Sequence, residues 1–205
     1  MKANLSSYPK SIILGETTTA TTAYSPKPSL QQIEKYHVPL EAAGVGIFPA
    51  VAVNVKSTAT DTLIPAGSFP QHWTLQLNPD SSVVLTDKEE GVGIPHAETI
   101  AEDFRITNHS FRVGPSYFNA FLDSGAAFSI LASKDASAIN INRYRKVDEK
   151  NQGYLVPLSL GPYTIQTVVH VLPSTSVSAI ATNDFLKNKF TIRLHEFSTE
   201  LLEDS

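Results

Sequence analysis

Phe121-Leu122-Asp123-Ser124-Gly125-Ala126-Ala127-Phe128-Ser129-Ile130-Leu131 places one carboxylate between two apolar runs. A strand over Asn119–Leu122 that ends at Asp123 would project this carboxylate from a rigid base. Gly125 permits a backbone turn that a side chain would obstruct. The Ser124 hydroxyl can lock the loop and orient the acid. Such a carboxylate activates water when a second lies against it. Two like charges that close cannot both ionise, so one stays an acid while the other acts as a base. The chain has one Asp-Ser-Gly, so a pair needs two copies about a twofold axis. The competing reading is an ordinary turn, in which Asp and Ser bond to nearby backbone and Gly takes a positive φ. Apolar flanks on both sides favour a buried loop over a surface turn.

The elements that must hold this loop lie on both sides of it. Val156-Pro157-Leu158-Ser159-Leu160-Gly161 and Tyr163–Val171 read as two strands of a hairpin that turns near Gly161-Pro162. After Leu172-Pro173 and a polar stretch comes Val177-Ser178-Ala179-Ile180-Ala181-Thr182-Asn183-Asp184-Phe185-Leu186, an apolar strand leading into a short helix. Phe111-Arg112-Val113-Gly114 and Phe118-Asn119-Ala120 stand upstream of Asp123, and Phe190-Thr191-Ile192-Arg193-Leu194 stands downstream.

In order and approximate spacing, residues 104–197 resemble the retropepsins, the aspartic proteases of retroviruses and retrotransposons. The resemblance implies a first hairpin over Phe111–Gly114 and Phe118–Ala120, a closed β-barrel with a short C-terminal helix, and a homodimer that pairs its terminal strand, Phe190–Leu194. It implies Asp123, Ser124 and Gly125 as the catalytic loop, and contact of Ala126, Ala127 and Phe128 with the substrate backbone. A peptide would lie as a β-strand beneath a hairpin lid, here Ile139–Leu155, with Gly153 in the substrate-binding part of the lid. Two departures stand out. Ala181 takes the place of a Gly that the family packs near its active loop, and the lid segment is short, polar and has a single Gly.

The remainder is β-like, with short runs of Val, Thr, Ile and Phe broken by Pro and Gly. Residues 1–35, rich in Thr, Ser and Pro, read as an extended or disordered arm, with a short helix over Ser29–Tyr36 capped by Ser29. Residues 36–100 read as a β-rich region of unknown role, with strands at Ile47–Val55, His72–Leu77 and Ser82–Thr86. Asn78-Pro79-Asp80-Ser81 is a turn between the latter two. Residues 101–197 form the barrel domain and 198–205 an acidic tail.

A formal net charge of −4, with scattered basic residues, argues against nucleic acid as the main partner. No cysteine is present, which excludes disulfides and cysteine-based zinc sites. No apolar run approaches the roughly 20 residues of a membrane helix. His37, His72, His96, His109, His170 and His195 show no metal-ligand spacing, and neither metal nor cofactor is expected. The expectation is therefore an all-β, retropepsin-like barrel preceded by a β-rich region and an arm. Its expected function is that of a homodimeric aspartic endopeptidase cleaving polyprotein or peptide substrates, in the cytoplasm or inside a virion. The alternative is a viral or phage coat, cement or connector protein, or an inactive protease-fold dimerisation module.

Overall fold

The computed structural model describes residues 18–21, 30–42, 46–54, 73–87, 93–101, 104–124, 126–173, 175–195 and 197–203. The chain divides into two units, Met1–Gln71 with Ile100–Arg105 and His72–Thr99 with Ile106–Ser205.

The first unit holds a three-stranded antiparallel sheet, β1 (Thr18–Thr21), β2 (Leu30–Ala42) and β3 (Gly46–Asn54), in that order. This corrects the helix expected over Ser29–Tyr36; of the arm expected over residues 1–35, only 18–21 and 30–35 lie within the described residues, as strand. Tyr36, Val38 and Leu40 recur at period two, which suits a strand rather than a helix. A cap-like Ser29 could not outweigh that pattern, and Ser29 itself lies outside the described residues.

The second unit is built from β4 (Trp73–Leu77), β5 (Val83–Asp87), β6 (Ile94–Pro95), most of β7 (Ala97–Ala101) and of β8 (Phe104–Val113), β9 (Ser116–Asp123) and β10 (Ser129–Ala132). Next come α1 (Ser133–Ala138), a 3-10 turn (Ile141–Arg143), β11 (Arg145–Asp148), β12 (Gly153–Leu160), β13 (Tyr163–Leu172), β14 (Ser178–Ala181), α2 (Thr182–Lys187), β15 (Phe190–Leu194) and β16 (Ser198–Glu203). Six strands run β12-β13-β10-β14-β9-β8, and β8 pairs back onto β12, so the sheet closes into a barrel. The fold is all-β, a closed barrel with a short helix after β14, as expected.

Period-two burial builds the core. Phe111 and Val113 on β8, Phe118, Ala120 and Leu122 on β9, and Val156, Leu158 and Leu160 on β12 all point inward. Each large apolar side chain so buried contributes about 1.5–3 kcal/mol. The strand leading to Asp123 is therefore amphipathic rather than wholly buried, because Asn119 between Phe118 and Ala120 is exposed.

Two hairpins use the same turn. Val113 pairs with Ser116 around Gly114-Pro115, and Leu160 with Tyr163 around Gly161-Pro162. A two-residue loop of this kind needs a positive φ at its first position, and Gly114 (59°) and Gly161 (56°) supply it.

The segments after the two hairpins match as well. Ser129-Ile130-Leu131-Ala132-Ser133-Lys134-Asp135 and Ser178-Ala179-Ile180-Ala181-Thr182-Asn183-Asp184 each make a short strand that runs into a helix. Their cross-links are reciprocal. β10 lies parallel to β13, and β14 parallel to β9. Buried Ser129 accepts a hydrogen bond from Ala181 N (3.0 Å) and donates to Asp184. Buried Ser178 accepts from Ala132 N (2.9 Å) and donates to Asp135 (2.6 Å). Each acid is the third residue of its helix, where the unpaired backbone N–H groups favour negative charge.

A second sheet has the order β5-β4-β15-β16-β6. Residues 198–205, expected as an acidic tail, hold β16, which covers one edge of β15 and buries Thr199 and Leu201. Alternating burial outweighs the acidic composition there. β4 and β5, expected in the region before the barrel domain, lie in this sheet and in the barrel's unit. Between this sheet and the barrel, Thr199 Oγ1 bridges His96 Nδ1 (3.0 Å) and His109 Nε2 (3.3 Å). Burial, with a smaller effect of His96, holds His109 down at about 3.

Candidate active site

Asp123 is the last residue of β9 and is exposed. Its position is set from the side by the parallel pairing of Ser178–Ala181 with Ala120–Asp123, in which Ala181 is the partner of Asp123. Ala181 is in turn held through its N–H by Ser129, six residues beyond Asp123 on the far side of the loop. The loop is thus bracketed: one end is fixed by β14 and the other by the hydroxyl that clamps β14. The departure from Gly to Ala at position 181 is accommodated with Ala181 fully buried.

Ser124 is exposed, and Gly125 lies outside the described residues. Ala126 is buried, Ala127 is exposed, and Phe128 is half-buried with its ring centroid 4.7 Å from that of His170 on β13. The candidate lid is the hairpin β11–β12, with Lys146 opposite Tyr154 and Asp148 opposite Gly153. Its turn is not made by Gly153 in a left-handed conformation. Gln152 takes that role (φ 50°), while Gly153 is buried in β12. Asp148 ties the turn by accepting from Asn151 N (3.0 Å) and Asn151 Nδ2 (2.8 Å). These bonds, with a smaller contribution from His170, hold its carboxyl below the usual aspartate value.

The structure therefore brings Phe128 and Gly153 together around His170 and sets Asp123 beside Ala181. Among the described residues no group of three or more metal-ligating side chains stands together. Sequence reasoning missed four residues that build the site: Ser129, Asp184, Asp148 and His170. A signal existed for the first two in the repeated Ser-x-x-Ala-Ser/Thr-x-Asp. His170 was read only as one scattered histidine, although it continues the strand Tyr163–Val171.

The closing strand Phe190–Leu194 also differs from expectation. It does not keep an open edge for a second subunit. β4 pairs with one edge and β16 with the other, both from the same chain.

No family profile matches the chain, and no curated protein matches it. Among solved structures it is similar to the retroviral protease-like domain of Ddi1 from Leishmania major, at 15% identity over 56% of this chain and 95% of that one, with a TM-score of 0.38. It is also similar to a retropepsin-like aspartic protease from Rickettsia conorii, at 12% identity over 56% of this chain and 99% of that one, with a TM-score of 0.36.

Proposed function

We propose that this chain is an aspartic endopeptidase of the retroelement type, with Asp123 from each of two copies activating water between them. The observation that carries the reading is the placement of Asp123: an exposed carboxylate at the end of a barrel strand, beside the buried Ala181. Exposure puts it within reach of a second carboxylate, and the bracket of β14 and Ser129 fixes the strand end that carries it. One acid of such a pair protonates the leaving amine while the other deprotonates water. Ser124 and Gly125 would shape the loop, and Ala126, Ala127 and Phe128 would meet the substrate backbone. Hairpin β11–β12 would cover a peptide bound as an added strand. A polyprotein processed in the cytoplasm or inside a particle is the substrate this reading favours.

The test is cleavage of a peptide library read by mass spectrometry from acid to neutral pH, comparing the native chain with Asp123→Asn. Cleavage that disappears in the variant and falls with pepstatin supports the reading. Cleavage that persists in Asp123→Asn, or its absence in a confirmed dimer, overturns it.

One observation favours a second reading, an inactive module with the protease fold. Both edges of β15 are paired within the chain, which removes the family's usual route to a dimer. A chain that sediments as a monomer at high concentration and cleaves nothing supports this alternative.

A further inference from the structure

Phe128, Asp148 and Gly153 converge on one imidazole. The His170 ring packs on Phe128, at an interplanar angle of 57°. Its Nε2 lies 3.7 Å from Asp148 Oδ2 on β11. Across the strand pair stands Gly153 of β12. A Cβ at residue 153 would sit 3.0 Å from His170 Nε2 and 2.9 Å from Asp148 Cβ, so the imidazole and Asp148 occupy the space a side chain would need. The backbone closes at the same point, where Val171 N donates to Gln152 O (3.1 Å).

The other ring nitrogen, Nδ1, is buried without a hydrogen-bond partner. A buried N–H lacking an acceptor is the costlier of the two orphan states. That assigns the proton of the neutral ring to Nε2, facing Asp148. The ring thus has two separate attachments: an apolar face on the loop that follows Asp123, and a polar edge toward the hairpin.

We propose that His170 is a positioning residue that anchors two segments to β13 independently: hairpin β11–β12 through its Nε2 edge toward Asp148, and residues 126–129 through its ring contact with Phe128. Its purpose rests on the protease reading above; its test does not. Opening the hairpin breaks the contact of Nε2 with Asp148, and moving residues 126–129 breaks the tilted ring contact with Phe128.

The two attachments can be removed one at a time. His170→Phe keeps an aromatic face for Phe128 and removes the edge toward Asp148. His170→Gln keeps a donor and removes the face. Amide hydrogen exchange on the full chain, read at residues 145–153 and at 126–129, gives the answer. The expected result is a double dissociation: His170→Phe speeds exchange in the hairpin about tenfold and spares the loop, while His170→Gln does the reverse. Phe128→Leu, which leaves His170 intact, should loosen 126–129 alone and keeps the test open if the His170 variants do not fold. Either His170 variant loosening both segments alike, or neither segment, overturns the proposal, as does Phe128→Leu loosening the hairpin. The same pattern is expected in an Asp123→Asn background, so loss of the protease reading would leave this result standing. If the native chain cleaves peptides, His170→Phe should raise KM more than it lowers kcat.

Discussion

Ile130 and Ala179 face one another where β10 and β14 pair, and the chain repeats itself on either side of that point. Ser129 precedes one and Ser178 the other. Asp135 and Asp184 answer them from the two short helices, each taking the hydroxyl of the opposite copy. In the first copy the residue at the mouth of the loop is Asp123, paired with Ala181. In the second copy it is Leu172, paired with Ala132. One chain thus offers one carboxylate on a doubled scaffold.

The two serines should be equal in stability and unequal in function. Ser129→Ala and Ser178→Ala each strand a buried backbone N–H and a carboxylate, and each should cost about 1–3 kcal/mol in denaturant unfolding. Ser129 clamps Ala181, the neighbour of Asp123, whereas Ser178 clamps Ala132. Peptide cleavage, measured where both variants are folded, should fall several-fold more in Ser129→Ala. Equal losses would mean that the clamp does not reach Asp123.

His109 should make the chain acid-sensitive. Its folded-state value lies near 3, below the ordinary 6.5, so between those limits the unfolded chain binds a proton that the folded chain refuses. Stability from this group is fully present above about pH 6.5. It is lost as pH falls, by roughly 1.4 kcal/mol per unit, and the loss levels off near pH 3. His109→Gln, which keeps a polar atom for Thr199, should flatten the fall between pH 7 and pH 4. Parallel pH profiles of unfolding midpoints for the two proteins would refute this.

The turn glycines should differ in cost. Both Gly114→Ala and Gly161→Ala force a residue with a Cβ into positive φ, worth about 1–2 kcal/mol. At position 161 the new methyl would also stand 2.6 Å from Ile94 Cδ1, whereas at 114 it meets the tip of exposed Arg143 at 2.8 Å. The arginine can swing away into solvent, so Gly161→Ala should show the larger drop in thermal midpoint.

A strand and a tail respond differently to alanine. Leu201 is 2% exposed and Leu202 39%. Leu201→Ala should cost about 2–4 kcal/mol, and Leu202→Ala about 0.5 kcal/mol or less. Two small and equal effects would indicate that Ser198–Glu203 does not pack as β16.

The sequence disclosed features whose causes are local. Gly161-Pro162 announces its hairpin because Gly meets the φ requirement and Pro comes directly after it. Asp123 was visible because a carboxylate between apolar runs is costly without a use. The repeat was not seen, because its signal is three matching positions, Ser129/Ser178, Ala132/Ala181 and Asp135/Asp184, and the residues between them answer only to burial. Asp148 and His170 are far apart along the chain and meet only when β12 folds between their strands. β16 was hidden by its acidic composition: Glu200 stands between buried Thr199 and Leu201, and Glu203 lies exposed at the strand's end.

β15 is flanked within the chain by β16 along its length and by β4 at Ile192–Leu194, and that bears on kinetics as much as on architecture. Two copies could join this sheet at β5 or β6, its outer strands among the described residues. Otherwise they would have to peel β16 or β4 away first. An exchange of that kind must break a formed ladder before it makes a new one. Mixing would be slow, speeded by mild denaturant, and remembered long after dilution. A chain that meets its twin while still being made could form the exchanged pair directly, and one that folds alone would be kinetically committed to solitude.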